Sequence, residues 1–209
     1  MRILPFGDGV VLGEGGSGGF RAPLEDLLKR AHIPFEFVGQ RTENSYHMAY
    51  PHHEGWPRAT LTYLREERLA AALEFKPDIV LLYAGAEDLR DVPDAGIAAA
   101  RADKLIKTIH ELAPACQIIV SQLITNGDYR VEQKVKKFNT CLGGSVEKLA
   151  KKRAPVSRVK MHATVKDEGI NDAGMPNANG YAEMASAWFK GIEEIYRRSL
   201  ETTQTTPTK

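Results

Sequence analysis

Two spacings of apolar residues alternate along the chain. Longer stretches repeat their apolar residues every three or four positions, as amphipathic helices do. Between them stand five short apolar runs with the length of buried strands, at residues 3–6, 35–38, 79–84, 117–122 and 156–161. This alternation of strands and helices predicts a parallel sheet covered by helices on both faces.

Four of the predicted helices carry regular apolar stripes, which favour packing against a core over ligand binding. A further helix, near residues 59–75, is less regular and is expected to end at Pro77. The stripes are Leu24, Leu27, Leu28 and Ala31; Leu105, Ile106, Ile109 and Leu112; Val131, Val135, Phe138 and Leu142; and Ala185, Trp188, Phe189, Ile192 and Tyr196.

The length of 209 residues fits one domain, expected over residues 1–200. Residues 201–209 are rich in Thr and Gln and poor in apolar side chains, so we expect a disordered tail. The longest stretch without clear secondary structure is residues 39–58, and loops of that length are often functional. The first residues lack the pattern of a secretory signal, which predicts either a cytoplasmic protein or a mature secreted form.

Composition narrows the class of partner. The chain is 43% hydrophobic and 26% charged, which is typical of a soluble globular protein, and it contains no apolar run long enough to cross a membrane. Lys and Arg number 28 against 27 Asp and Glu, so the net charge of +1 argues against a nucleic-acid partner. A small-molecule ligand is the expected partner, and the sequence indicates no cofactor.

Metal and disulfide chemistry have weak support. Cys116 and Cys141 form neither a disulfide framework nor a CxxC metal motif. A histidine-rich stretch within residues 47–54, taken with Asp8, lacks the i, i+4 spacing of preformed metal sites. The glycines of residues 13–19 lack the lysine of a phosphate-binding loop. We therefore predict no metal site.

Candidate chemistry concentrates where strands end, because parallel sheets bind ligands beyond their carboxyl ends. Residues 6–13 follow the first predicted strand, and residues 83–88 end and follow the third. A third segment, residues 171–177, precedes the last helix. These three segments are expected to meet at one edge of the sheet.

In order and spacing these segments resemble three sequence blocks of the SGNH (GDSL-type) hydrolase superfamily, written GDSxxxG, GxND and DxxHPN. Residues 53–57 resemble the block that supplies an oxyanion-hole glycine, in the style of carbohydrate acetyl esterases. The resemblance implies a three-layer α/β/α, flavodoxin-like fold. It also implies about five parallel strands in the order 2-1-3-4-5.

Carried over position by position, the resemblance predicts an altered site. Gly9 stands where the family has its serine nucleophile, and Met175 stands where it has its histidine base. Glu87 replaces the oxyanion-hole asparagine, while Asp172 and Gly55 are retained. Ordinary serine-esterase chemistry is therefore not expected.

Our first hypothesis is a repurposed or redesigned cleft in which Glu87 acts as a general base on a small aromatic substrate, as in Kemp elimination. Gly9 and Met175 would enlarge the cleft, and Trp56 and Tyr83 would form flat walls. An apolar setting would raise the pKa of the Glu87 carboxyl. Natural degeneration of the site is the alternative origin.

Two alternatives remain open. The cleft would bind carbohydrate without hydrolysing it if Trp56 and Tyr50 stacked on sugar rings. In that case Asp8, Glu87 and Asp172 would accept hydrogen bonds from sugar hydroxyls. Alternatively, a cysteine and a histidine would form a rebuilt dyad for ester hydrolysis, although isolated cysteines are more often inert core residues.

Overall fold

A parallel sheet forms the centre of the protein in a computed structural model that describes residues 1–13, 17–125 and 129–204, with the side chains of residues 129–130 and 202–204 left aside. Its strands are β1 (Arg2–Gly7), β2 (Glu36–Phe37), β3 (Glu54–Gly55), β4 (Ile79–Tyr83), β5 (Gln117–Ser121) and β6 (Val156–Val159). They run in the order β2-β1-β4-β5-β6, and β3 pairs with β1.

The predicted fold class and strand order are therefore confirmed, with one addition. The short strand β3 lies inside the long segment that was predicted to be a loop, where Phe6 pairs with Glu54 and Gly7 with Gly55. A two-residue strand has no apolar run that the sequence could reveal. It is a strand only because it pairs with β1. This pairing brings residues 54–55, near the end of that segment, to the end of β1.

Helices cover the sheet, since α2 packs against α9 and α6 packs against α7. Their apolar stripes face the core, with Leu24, Leu105 and Phe138 fully buried. The helices are α1 (Gly9–Leu12), α2 (Arg21–Arg30), α3 (Leu61–Tyr63), α4 (Leu69–Leu73), α5 (Ala86–Asp91), α6 (Ala95–Leu112), α7 (Tyr129–Lys151), α8 (Met161–Thr164) and α9 (Ala178–Gln204), with a 3-10 turn at Asp167–Gly169.

The irregular second helix of the sequence pattern has a structural cause. A π-helical segment, Leu64–Arg68, joins α3 to α4. Leu61, Leu64 and Leu69 are all buried, and the wider π turn lets the five-residue step between the last two keep both on the buried face. Thr60 begins this helical stretch, where its side chain accepts a hydrogen bond from the Tyr63 amide.

Three sequence expectations are wrong at particular residues. Leu112 ends its predicted stripe but is 60% exposed, because α6 finishes there. Cys141, expected among apolar neighbours, is exposed on α7. Helix α9 continues through Gln204, so residues 201–204 of the expected disordered tail are helical, and residues 205–209 lie outside the described part.

No helix in the described part of the chain combines the length and apolar character needed to span a membrane.

Strand β4 carries much of the core, and we predict that Leu81→Ala destabilises the protein by about 2–5 kcal/mol. Leu81 is fully buried between β1 and β5, so truncation leaves a cavity that its paired neighbours cannot fill. Urea denaturation would measure the change. Leu112→Ala, at an exposed position, is the matched control and should stay within about 0.5 kcal/mol of the parent; equal losses in both variants would contradict the central place of Leu81 in the core.

Candidate active site

A cleft of about 250 Å³ lies beyond the carboxyl ends of β1, β4 and β5. The segments that follow these strands form most of it, together with α7 and the loop before α9. Its lining residues are Asp8, Gly9, Val10, Pro57, Arg58, Tyr83, Ala86, Glu87, Leu89, Arg90, Ile124, Thr125, Val131, Val135, Ala173, Gly174 and Met175. The cleft thus lies where parallel sheets of this kind bind ligands.

Gly9 and Met175 share this cleft although they are far apart in sequence. A side chain at position 9 would have room, because an added Cβ meets only the Pro57 Cα, at 3.8 Å. Met175 is held by Asn171, whose side-chain oxygen accepts hydrogen bonds from the Ala173 and Met175 amides at 3.0 Å each. The loop therefore presents residue 175 on a fixed backbone.

Asp8 is the most deeply buried charged group of the cleft, at 3% exposure. Its Oδ1 accepts a hydrogen bond from the Val10 amide at 3.0 Å and so begins α1, while the buried Oδ2 has no hydrogen-bond partner among the described residues. Burial is the main cause that raises the pKa of this carboxyl to about 7, and the nearby Glu87 and Asp88 charges add to the effect. Asp8 therefore titrates near neutral pH.

Glu87 also lines the cleft, but not in the apolar setting that we expected. Its side chain is 22% exposed, and its Oε1 lies 3.5 Å from the Arg90 guanidinium. The neighbouring Tyr83 is 2% exposed, and burial is the main cause that raises the pKa of its phenol. The Tyr83 hydroxyl accepts a long hydrogen bond from the Ile124 amide, at 3.4 Å.

Gly55 and Trp56 are outside the cleft, which corrects two expectations. The Gly55 amide donates to the His53 Nδ1 at 3.0 Å, so this amide is not free to stabilise an oxyanion. The Trp56 ring is covered by the guanidiniums of Arg41 and Arg68, at 4.5 and 3.9 Å from its centroid. Trp56 is thus part of a cation–π cluster and not a wall of the cleft.

Asp172, the retained acid of the family, is exposed and does not line the cleft. Tyr50, the second expected stacking residue, also lies elsewhere, with its ring against Phe35 at a centroid distance of 5.2 Å. The cysteines are distant too: Cys116 precedes β5 at the opposite end of the sheet, and burial raises the pKa of its thiol to about 12. None of these side chains contributes to the cleft.

The histidine-rich segment anchors the long loop. The Nε2 atom of His53 lies 3.0 Å from the Glu43 carbonyl, and its Nδ1 accepts from Gly55, an arrangement that fits a neutral ring. Burial, followed by the nearby Arg21 charge, lowers the pKa of His53 to about 3. Within the described ranges, no three His, Cys, Asp or Glu side chains are grouped closely enough to hold a metal ion.

Arg21 also anchors the long loop of residues 39–58, through hydrogen bonds to Ser45 and Pro51. It is fully buried and donates to the Val11 and Leu12 carbonyls, to the Ser45 hydroxyl and to the Pro51 carbonyl. The loop is therefore fixed to the start of the chain next to the cleft.

Two cleft residues, Arg58 and Thr125, were not predicted from the sequence because no family block marks them. Arg58 follows the glycine block and has a left-handed backbone, with φ 56°. Thr125 follows β5, and its side chain hydrogen-bonds the Glu132 carboxylate, which also contacts His162 at 2.8 Å. The strand-end rule offered a signal for Thr125, but none for the direction of the Arg58 side chain.

Comparison with known proteins identifies the family. The sequence model described as the GDSL-like Lipase/Acylhydrolase family matches residues 6–145, and the chain belongs to that family. The expected resemblance is thereby confirmed. No curated protein sequence gives a significant match.

Solved structures agree with this assignment. A family 3 carbohydrate esterase of Clostridium thermocellum is 25% identical, with a TM-score of 0.84 over 95% of this chain and 98% of that one. A family 3 carbohydrate esterase from Talaromyces cellulolyticus is 18% identical, with the same TM-score over 95% and 99% of the two chains. A lipase/acylhydrolase from Enterococcus faecalis is 16% identical, with a TM-score of 0.68 over 94% and 96%.

We predict that the combined variant Gly9→Ser, Met175→His, Glu87→Asn gains ester hydrolysis at least tenfold above the parent chain. The three positions line one cleft, and position 9 has room for a side chain. Release of acetate from an activated acetyl ester would measure the gain, with Gly9→Ser alone as the control, since a serine without a base is a poor nucleophile. A folded triple variant no faster than Gly9→Ser would show that the positions are misassigned.

Asp8 generates a pH-dependent stability prediction. Because its folded-state pKa, about 7, lies above the ordinary 3.8, the unfolded chain releases this proton more readily. The resulting penalty is absent below about pH 4 and grows as the pH rises towards 7. The stability of Asp8→Asn relative to the parent should therefore increase by about 2–3 kcal/mol as the pH rises from 5 to 8, as measured by urea denaturation. If the difference in unfolding free energy between Asp8→Asn and the parent does not change with pH, the raised pKa of the buried Asp8 carboxyl is contradicted.

Proposed function

We propose that this member of the GDSL-like family binds a small molecule in its cleft without forming an acyl-enzyme. One observation carries the proposal: Gly9 and Met175, which the resemblance assigns to the nucleophile and base positions, both line the cleft, and its described lining contains no serine, cysteine or histidine. Glycine has no side-chain atom that could attack an ester carbonyl in place of the serine. A thioether cannot accept the nucleophile's proton in place of the histidine.

The lining supports binding. Val10, Leu89, Val131 and Val135 give it apolar walls, and Asp8 and Tyr83 add polar groups on its floor. Small-molecule sites commonly combine apolar walls with a few placed polar groups. The likeness to a carbohydrate esterase that is 25% identical makes an acetylated sugar the first ligand to test.

Calorimetric titration with an acetylated monosaccharide, beside an acetate-release assay, tests this proposal. We expect saturable binding and no turnover. Ala173→Trp, which fills the rim of the cleft at an exposed position, should weaken binding at least tenfold, whereas Ala100→Trp on the exposed face of α6 should not. Acetate release by the parent chain that Ala173→Trp abolishes would overturn the proposal.

Proton abstraction by Glu87 is a second candidate function, favoured because its carboxylate lines the same cleft. A general base acts on a substrate held within hydrogen-bond reach, and the apolar walls suit a small aromatic ring. The pairing with Arg90 and the partial exposure limit the driving force for this reaction, which is why we rank it second.

If Glu87 is a base, the parent chain should open an activated benzisoxazole, and Glu87→Gln should lose about 10²-fold or more of that rate. The absorbance of the phenolate product would follow the reaction. Glu74→Gln, at an exposed glutamate after α4, is the matched control and should keep the parental rate. Equal rates for all three chains would remove Glu87 from this role.

The cysteine–histidine alternative has no support among the described residues that line the cleft. Neither Cys116 nor Cys141 lines it, and no described histidine does, although His162 is linked to the lining residue Thr125 through Glu132. We do not propose it further.

A further inference from the structure

Arginines carry the positive charge of the cleft. Arg58 lines it from the segment after β3, on a left-handed backbone with φ 56°, and its residue is exposed. No carboxylate within ion-pair distance accompanies Arg58 among residues 1–13, 17–125 and 129–204. An exposed guanidinium with no internal partner is available to a ligand.

Arg90 lines the same cleft from α5, and its side chain is 64% exposed. Its only ion-pair partner in the described structure is Glu87, at 3.5 Å, a distance longer than a good charge-assisted hydrogen bond. This pair is loose and partly solvated, so it contributes little to stability. A better anion can therefore replace Glu87 on Arg90.

The remaining acids do not cancel these charges. Asp88 is fully buried and already bound, since it accepts from the Leu61 amide at 2.8 Å and from Arg101 at 2.9 Å. Asp8 is buried on the floor of the cleft and is protonated over much of the range below neutral pH. Among the described lining residues, the accessible charges are thus two guanidiniums against one carboxylate, that of Glu87.

We propose that the ligand carries a carboxylate, held by Arg58 and Arg90, on a compact ring that occupies the apolar part of the cleft. This inference rests on the proposed binding function and names its ligand class. Arginine suits a carboxylate because its planar fork can donate two parallel hydrogen bonds.

The walls and volume limit the rest of the ligand. A cleft of about 250 Å³ is smaller than most drug-sized sites, so it fits one ring. Both an aromatic acid and a uronic acid combine a single ring with a carboxylate. Leu89, Ile124 and Met175 favour the aromatic face, whereas Tyr83 can serve either ring.

Matched ligand pairs test the inference with the full chain. Benzoate and benzamide share a shape but differ in charge, and galacturonate and galactose form the corresponding sugar pair. We expect calorimetry to show that at least one acid binds about tenfold or more tightly than its neutral partner. The pair that shows the larger difference identifies the ring.

Charge variants give the second readout. Arg58→Gln and Arg90→Gln should each weaken binding of the acid about five- to tenfold and leave its neutral partner unchanged. Glu87→Gln should tighten the acid severalfold, because it removes a competing carboxylate from Arg90. Arg153→Gln is the matched control, since Arg153 is also exposed and left-handed, with φ 64°, but lies after α7 and away from the cleft.

Two results would overturn the inference. If the neutral partners bind as tightly as the acids, the cleft binds ligands but does not select a carboxylate, and the proposed function still stands. If Arg58→Gln and Arg90→Gln bind the acid as Arg153→Gln does, the arginines are not its site. Circular dichroism of each variant would verify that the fold is intact.

Discussion

Parallel pairing of β1 with β4 brings Gly7 opposite Tyr83, and the Asp8 amide extends the pairing by donating to the Tyr83 carbonyl at 3.2 Å. Both strands end at this point, so the residues that follow each strand meet at one edge of the sheet. Asp8 and Gly9 leave β1 there, and α5 with Glu87 begins soon after β4. The cleft is a consequence of where these two strands stop.

Burial beneath this edge sets the chemistry. Asp8 begins α1 and is almost completely buried, so its carboxyl favours the protonated form more than an exposed aspartate does. Arg21 and His53 fix the neighbouring loop through hydrogen bonds to backbone carbonyls and amides. The buried polar groups therefore hold a backbone frame, and the side chains at the rim remain available to a ligand.

In a GDSL-like hydrolase the scaffold and the reaction depend on different sets of residues. The sheet, the strand order and the segments around the cleft are those of GDSL-like hydrolases. Position 9 has no side-chain atom with which to attack a carbonyl, and position 175 has no imidazole. Chemistry depends on a few side chains, whereas the fold depends on many buried contacts, so the first can change while the second persists.

The sequence by itself predicted the parallel sheet, and its resemblance to the family predicted the strand order; the structure confirms both. The same resemblance assigns the nucleophile and base positions to Gly9 and Met175. The sequence predicted the strand at residues 79–84 and the apolar stripes of α6 and α7, because burial imposes a regular spacing of apolar residues on each element. The spacing of the family blocks also placed Gly9 and Met175 at one edge, since blocks record topology.

Only the tertiary structure decided what each site residue touches. Gly55 and Trp56 belong to a family block, but the Gly55 amide donates a hydrogen bond to the His53 ring. Two arginine side chains cover the Trp56 ring. These contacts join residues distant in sequence, and no local period or motif encodes the direction in which such side chains meet.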